Sequence, residues 1–245
     1  MCIRDREKTT KIIHIDIDPA EIGKNIGADL PLVGDAKLVL QQMTELAKPM
    51  KHDEWIAHIK TLGGERKYVE PAKGTVNPRV FIDRLAKKMP ANVTVVADVG
   101  QNQIWTCTEY KFRKEGRLLT SGGMGTMGYS VPAAIGAKMA DNSRATVAIC
   151  GDGAFQMSFM ELATAVQFGV DIKVVVMTNN RLGMVRELQT NGYHDRQTAV
   201  FLDGSPDFIK LAEAYGIPAM RVYDDDTMEK LSLIHISEPT RHLRI

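Results

Sequence analysis

Several things are scarce or missing in this chain, and each absence excludes something. No apolar run approaches the roughly 20 residues that a helix needs to span a bilayer, so no membrane partner is expected. The N-terminus, MCIRDREKTT, lacks the apolar segment of a secretory leader. Cysteine is rare. Cys2, Cys107 and Cys150 lie far apart and form no Cys-x-x-Cys pair, which reads as buried or incidental thiols in a reducing cytoplasm. Charge imbalance is missing too. With 31 basic and 30 acidic residues the net charge is +1, which argues against binding nucleic acid by bulk charge and against an acidic tail. Periodicity is lost at both ends. MCIRDR and SLIHISEPTRHLRI match no pattern beside them and resemble translated sequencing-adapter read-through. Residues 1–10 and 232–245 are therefore set aside as a non-native leader and tail. The chain between them is expected to be a piece cut at both ends.

What remains is an ordinary globular balance, 44% hydrophobic and 25% charged, and 245 residues allow one large domain or two smaller ones. KIIHIDIDP alternates Ile13, Ile15 and Ile17 with His14, Asp16 and Asp18, a strand stopped by Pro19. A short strand, a Gly34-Asp35 turn and a helix carrying Leu38, Val39, Met43 and Leu46 follow. Residues 11–50 thus read as one unit. Residues 51–74 read as a linker with a short helix around Trp55, Ile56 and Ile59, and residues 75–231 as the main domain. In that domain helix and strand alternate: PRVFIDRLAKKMP, NVTVVADVG, QNQIWTCTEY, YSVPAAIGAKMA, ATVAIC, FQMSFMELATAVQFG, IKVVVMTNN, DFIKLAEAYG and a last strand PAMRV. IKVVVMTNN is nearly continuous in apolar residues, the type buried on both faces of a parallel sheet. The fold class is α/β, a doubly wound, mainly parallel sheet. Three strands end in polar or glycine-rich tips, at Asp98-Val99-Gly100-Gln101, Gly151-Asp152-Gly153 and Asn179-Asn180, and these are expected to converge at one edge.

GMGTMG, Gly123 to Gly128, fits Gly-x-Gly-x-x-Gly, and Asp152 lies 24 residues beyond Gly128 at a strand end. That nearly reproduces the dinucleotide fingerprint, with Asp152 on a ribose hydroxyl. Two features count against an NAD(P)-dependent dehydrogenase. The fingerprint needs a buried strand before its first glycine, and KEGRLLTSG offers only Leu118-Leu119. It also leaves the glycines flanking Asp152 and the Asn pair without a task. Alternatively, the glycines only permit close helix packing.

Between Gly153 and Asn179 lie 25 residues, room for one helix and one strand, hence one β-α-β crossover. Asp152 and Asn179 can then lie side by side. A carboxylate and an amide oxygen supply part of the oxygen shell of Mg²⁺, which commonly shares its ligands with a phosphate. The flanking glycines let backbone N–H groups approach that phosphate, and a helix starting at Ala154 turns its positive end toward it. The bland alternative is a Gly-Asp-Gly turn and an Asn helix cap.

Gly151-Asp152-Gly153 followed after 25 residues by Asn179-Asn180 resembles the cofactor motif of thiamine diphosphate-dependent enzymes. DVGQNQIW, SGGMGTMGYSVPAAIGAKMA and IIHIDIDPAEIGKN further resemble the catalytic large subunit of the acetolactate synthase family, over about Lys11 to Lys230. The resemblance implies that Asp152, Asn179 and the backbone oxygen of Arg181 bind Mg²⁺. It implies that Gly100, Gln101, Asn102, Gly153 and Ala154, beside Gly151, hold the diphosphate. The carbonyl of Gly125 would accept from the aminopyrimidine, and Met127 would wedge under the cofactor and bend it, the two residues nearest to catalysis. Met184 and Val185 would line the thiazolium side. The bend lets the cofactor help to deprotonate itself to an ylid that attacks pyruvate; CO₂ leaves, and the enamine attacks a second 2-oxo acid.

The first unit resembles the end of a Rossmann-like central FAD domain, with Asp16, Ile17, Glu21, Gly34, Asp35 and Ala36 near the flavin. For these six, strand-end and turn chemistry is an equally weighted alternative. The implied parent is a cytoplasmic homodimer or homotetramer, with a possible regulatory small subunit, in branched-chain amino acid (valine and isoleucine) biosynthesis. Pyruvate oxidase and glyoxylate carboligase are the nearest alternatives. In the family a glutamate on an N-terminal domain protonates the pyrimidine ring, so this chain alone is expected to be inactive. Leu188 stands where many members carry tryptophan, which leaves second-substrate preference and herbicide sensitivity open. Asn102 stands where histidine is common.

Overall fold

A computed structural model describes residues 10–62 and 68–233. The expected non-native ends therefore fall almost wholly outside the described residues, as do Cys2 and the Gly63-Gly64 pair. The chain divides into two compact units, Met1–Arg66 and Lys67–Ile245.

In the first unit, β1 (Ile13–Asp16) and β2 (Leu30–Val33) pair in parallel, with Ile13 opposite Leu30 and Asp16 opposite Val33. The Asp35 side chain accepts the Leu38 N–H at 3.1 Å and so caps α1 (Ala36–Leu46). Helix α2 (Asp53–Leu62) is the short helix expected around Trp55. No residue of either helix is buried.

The second unit is built on four parallel strands, β3 (Thr94–Ala97), β4 (Arg117–Thr120), β5 (Thr146–Gly151) and β6 (Lys173–Met177), in the order β4-β3-β5-β6. Around them lie α3 (Pro78–Lys88), α4 (Gln101–Glu109), α5 (Ser130–Ala140), α6 (Asp152–Gln156), α7 (Leu162–Gln167), α8 (Gly183–Gly192), α9 (Phe208–Ala214) and α10 (Asp225–Leu233). Side chains alternate along each strand, so one sheet feeds two cores. Val96, Ala148, Cys150 and Val174 face α5, α6, α7 and α9. Val95, Val147 and Ile149 face α3, α4 and α10. Each fully buried valine or isoleucine contributes about 1.5–3 kcal/mol relative to exposure. The helices after β3 and β5 pack on opposite faces, so the crevice between these two strand tips is a topological switch point.

At the opposite edge of the sheet, two buried cations bind backbone carbonyls. Arg144 donates to Thr94 Oγ1 at 3.0 Å and to the carbonyls of Val93 and Glu115. Lys138 Nζ donates to the carbonyls of Asn142 and Arg144 at 2.7 and 2.8 Å.

Four expectations change. KEGRLLTSG contains a full strand, β4, because pairing with β3 supplies the ladder that two leucines alone did not announce. FQMSFMELATAVQFG is not one helix: α6 ends at Gln156, and a 3₁₀ turn at Phe159–Glu161 leads into α7. The break falls where Gly128 presses on Met157; a Cβ on Gly128 would lie 3.0 Å from the Met157 Cβ. PAMRV is not a strand. It has no ladder partner among the described residues, and Pro218 lacks the N–H to donate. Finally, β6 is an edge strand and mostly half-buried rather than covered on both faces. Among the described residues no helix is long and apolar enough to cross a membrane.

Tyr110 gives a test of the core. It is buried against Phe112, with ring centroids 4.5 Å apart, and its hydroxyl has no partner among the described residues. Burial pushes its pKa up to about 12, opposed by the nearby Arg113 charge. The folded state thus holds the proton to higher pH than the unfolded chain. The corresponding stability is fully present below about pH 10 and lost between about pH 10 and 12. Tyr110→Phe removes the unpaired hydroxyl and is expected to raise stability by about 1 kcal/mol and to flatten that alkaline loss. Urea unfolding at pH 7 and at pH 10.5 checks both.

Candidate functional site

The expected convergence of three polar strand tips is met after β3, β5 and β6. Two buried carboxylates organise it. Asp98, at the end of β3, accepts three backbone N–H groups: Val99 at 2.8 Å, Gly128 at 3.0 Å and Ser130 at 2.8 Å. The last two belong to the glycine-rich loop and the first turn of α5. Asp98 thus caps a helix that starts 32 residues later. Asp152, after β5, accepts from Gly153 at 2.9 Å through Oδ1, and from Asn179 and Asn180 at 3.0 and 2.6 Å through Oδ2. Asn180 has φ +53°, a left-handed conformation that folds the turn back onto the carboxylate. Both aspartates are at most 1% exposed, and among the described residues neither forms an ion pair.

The crevice is a shallow, solvent-open cleft of about 90 Å³. Its walls carry Gly100, Gln101, Asn102, Met127, Gly151, Asp152, Gly153, Ala154, Asn179, Arg181, Met184 and Val185, so nearly every residue expected to meet the cofactor is brought together. Gly125 lies two residues from Met127 in the same loop but is not on the wall. Sequence reasoning placed Val99 at a converging strand tip but missed Trp105, Met177, Leu182 and Gly183 as wall residues, and α8 as a helix. Leu182-Gly183 follow the Asn pair after one residue, Arg181, a signal that could have found them. Asp98 had been noted only as a strand tip, with no task assigned.

The local chemistry sharpens several expected roles. Asn102 is buried, and its Nδ2 donates to the carbonyls of Asp98 at 2.8 Å and Ile149 at 3.1 Å. Both amide hydrogens are thus spent bracing β3 to β5, which leaves its backbone N–H as the donor it can offer an anion. Gln101 Nε2 donates to Glu187 of α8 at 2.9 Å, reaching across the cleft. Gly100 has φ +144°, and a Cβ there would lie 2.6 Å from Asn102 Oδ1. A Cβ on Gly153 would lie 2.6 Å from Leu182 Cδ2 and 3.2 Å from Leu202 Cδ1, and one on Gly183 would strike Gln101 Oε1. The expected helix dipole at Ala154 shrinks to a single turn, since α6 has five residues; what remains there is the first-turn N–H groups beyond Gly153, whose own N–H goes to Asp152.

The donor set suits a hard cation. An ionised carboxylate offers about four acceptor positions, and Asp152 uses three. Asn179 Oδ1 accepts the Arg181 N–H at 3.0 Å and retains its second lone pair. Among the described residues no three His, Cys, Asp or Glu side chains cluster to hold a metal, so any ion here would rest on one carboxylate, amide and backbone oxygens and its own ligands.

The dinucleotide reading fails for a different reason from the one the sequence suggested. A strand does precede the glycine loop, but β5 is not its neighbour; β3 lies between β4 and β5. The acid at the β5 tip is therefore two strands from the strand that leads into the glycine loop, where the fingerprint requires the adjacent one.

Residues 98–235 match the family described as thiamine pyrophosphate enzyme, C-terminal TPP binding domain, which is more than half of the chain. The chain belongs to the thiamine pyrophosphate enzyme family. Residues 4–43 match the central domain of the same enzymes. The chain is 41% identical over 233 residues to a probable acetolactate synthase large subunit of Methanocaldococcus jannaschii, covering 90% of this chain and 39% of that protein. It is 37% identical over 235 residues to the acetolactate synthase large subunit of Lactococcus lactis, covering 95% and 41%. It is 42% identical over 223 residues to the large subunit of Corynebacterium glutamicum, covering 86% and 36%. The chain thus spans about two fifths of the length of these relatives.

The six residues expected near a flavin lie in the first unit. Asp16 and Ile17 at the end of β1 adjoin Gly34, Asp35 and Ala36 at the end of β2, with the Gly34 N–H donating to the Asp16 carbonyl at 2.9 Å. Three of them do local work: Asp16 accepts from Asp18 at 2.9 Å, Glu21 pairs with Lys24 at 2.6 Å, and Asp35 caps α1.

Within the thiamine pyrophosphate domain, Asp98 and Cys150 yield a test. Asp98→Ala leaves the Gly128 and Ser130 N–H groups without acceptors and is expected to cost about 2–4 kcal/mol, read by urea unfolding. The Cys150 thiol is fully buried, and burial first, then the charges of Asp98 and Asp152, push its pKa up. Iodoacetamide at pH 8 is therefore expected to label exposed Cys107 in the native protein and Cys150 only after unfolding, as read by mass spectrometry.

Proposed function

We propose that the chain is the cofactor-binding portion of a thiamine diphosphate-dependent carboligase of the acetolactate synthase type. Its parent reaction joins two molecules of pyruvate, or pyruvate and 2-oxobutanoate, into a 2-acetohydroxy acid with release of CO₂. The observation that carries this reading is the pairing of Asp152 with the Asn179-Asn180 turn at adjacent strand tips, beside a wall of glycine backbone. Asp152, on the cleft wall, is satisfied by N–H groups with no counter-charge and keeps an acceptor position that a divalent cation would take.

In this reading Asp152, Asn179 and the Arg181 carbonyl hold Mg²⁺. The first-turn N–H groups after Gly100 and Gly153 donate to the diphosphate. The Gly125 carbonyl accepts from the aminopyrimidine amino group, and Met127, half-buried against the core, supports the bent cofactor. Met184 and Val185, on the first turn of α8, face the thiazolium and exclude water from it. Thiamine diphosphate, when bound, supplies the carbon nucleophile and electron sink for decarboxylation. Leu188, exposed on α8, stands toward the second 2-oxo acid. The first unit is assigned to the FAD-bearing central domain through Asp16, Ile17, Glu21, Gly34, Asp35 and Ala36. The parent is read as a cytoplasmic homo-oligomer in valine and isoleucine biosynthesis, with a regulatory small subunit as a possible partner.

Calorimetry tests the reading. Thiamine diphosphate is expected to bind in Mg²⁺ and to be released by EDTA. Asp152→Asn is expected to weaken binding at least about tenfold while circular dichroism stays that of a folded chain. Binding of NADH with no Mg²⁺-dependent uptake of thiamine diphosphate is the result that would sink it.

A further inference from the structure

The turn that carries Asn179 and Arg181 is not held by the sheet alone. A segment about 20 residues later returns to lie antiparallel beside it, with Arg181 opposite Phe201. The Leu182 N–H donates to the Val200 carbonyl and the Leu202 N–H to the Asn180 carbonyl, both at 2.9 Å. The Arg181 guanidinium carbon lies 4.6 Å from the centre of the Phe201 ring, a cation–π contact. The returning segment is itself fixed at both ends. Gln189 of α8 grips the Thr198 N–H and carbonyl at 3.0 and 3.2 Å. At the other end Ser205 Oγ donates to the Leu202 carbonyl at 2.8 Å and accepts from Gln156 Nε2 at 3.1 Å, at the end of the helix that Asp152 begins. Between them Val200 is fully buried and Ala199 is held at φ +55°, a conformation that a residue with a Cβ keeps only when its surroundings impose it.

We propose that the 198–205 segment, through Phe201, is the positioning element of the metal–diphosphate site. It sets the backbone oxygen of Arg181 relative to Asp152 and Asn179. The proposal rests on the assignment of Mg²⁺ to those three residues. Phe201 touches neither metal nor substrate. It acts by holding the Arg181 side chain, and the antiparallel pair holds the Arg181 main chain. Because Phe201 is 48% exposed, its removal leaves the core intact.

The test compares Phe201→Ala and Phe201→Tyr with the unaltered chain in two readouts. The first is hydrogen exchange of the Leu182 and Leu202 amides. The second is the Mg²⁺ concentration giving half-saturation of thiamine diphosphate binding, followed by calorimetry. Phe201→Ala is expected to speed exchange at both amides, with β3 and β5 amides unchanged, and to raise the Mg²⁺ requirement about tenfold; Phe201→Tyr, which keeps the ring, is expected to restore both. Unaltered exchange in Phe201→Ala overturns the brace. Faster exchange with an unaltered Mg²⁺ requirement overturns its role toward the metal. If the unaltered chain takes up no thiamine diphosphate in Mg²⁺, the functional assignment and the metal role fall together, while the exchange arm still decides whether the brace exists.

Discussion

The loops and helix starts beyond the C-terminal edge of the sheet carry backbone N–H groups with no ladder partner, and in this chain two buried carboxylates receive six of them. Asp98 gathers the glycine-rich loop and the start of α5 onto the tip of β3. Asp152 gathers the Asn179-Asn180 turn onto the tip of β5. Remove these bonds and the loops that wall the cleft lose their attachment to the sheet. The opposite edge mirrors the arrangement, with Arg144 and Lys138 satisfying carbonyls. Acceptors thus hold the loops at one edge and donors hold those at the other.

This arrangement explains why the cleft has the chemistry it has. A carboxylate that accepts three N–H bonds is neutralised by dipoles, not by a counter-charge, and it keeps a site for a cation. The glycines do a separate job. At Gly100 and Gly153 a Cβ would meet the Asn102 or Leu182 side chain at 2.6 Å, so these side chains pack against bare main chain there. That closeness leaves N–H groups, rather than side chains, as the surface presented to an anion.

Much of the site was legible in the sequence because its spacing is a consequence of topology. The 25 residues between Gly153 and Asn179 can only build one crossover in a parallel sheet, so the two tips had to meet. The strands and most helices were legible for the same kind of reason, since alternation and helical periodicity report which side faces a core. β4 was not legible. Only two of its residues are apolar, and its identity as a strand lies in its pairing with β3. The break between α6 and α7 was not legible either; it lies against Gly128, 29 residues upstream of Met157 in the chain. Asn102 shows the same limit. The family resemblance placed it at the diphosphate, whereas its amide hydrogens go to the carbonyls of Asp98 and Ile149.

The residue pattern therefore determined the class of fold, the position of the strand tips and the residue types that meet there, because these depend on local periodicity and on counting along one crossover. Tertiary structure decided the rest. It decided that Asp152 lies two strands from the glycine loop and cannot serve a dinucleotide fingerprint, that Asp98 caps a distant helix, and that the 198–205 segment folds back along the Arg181 turn. Each of these is a hydrogen bond or strand pairing between groups far apart in sequence. Such partners are chosen by the packing of the whole sheet, and no window of neighbouring residues contains both.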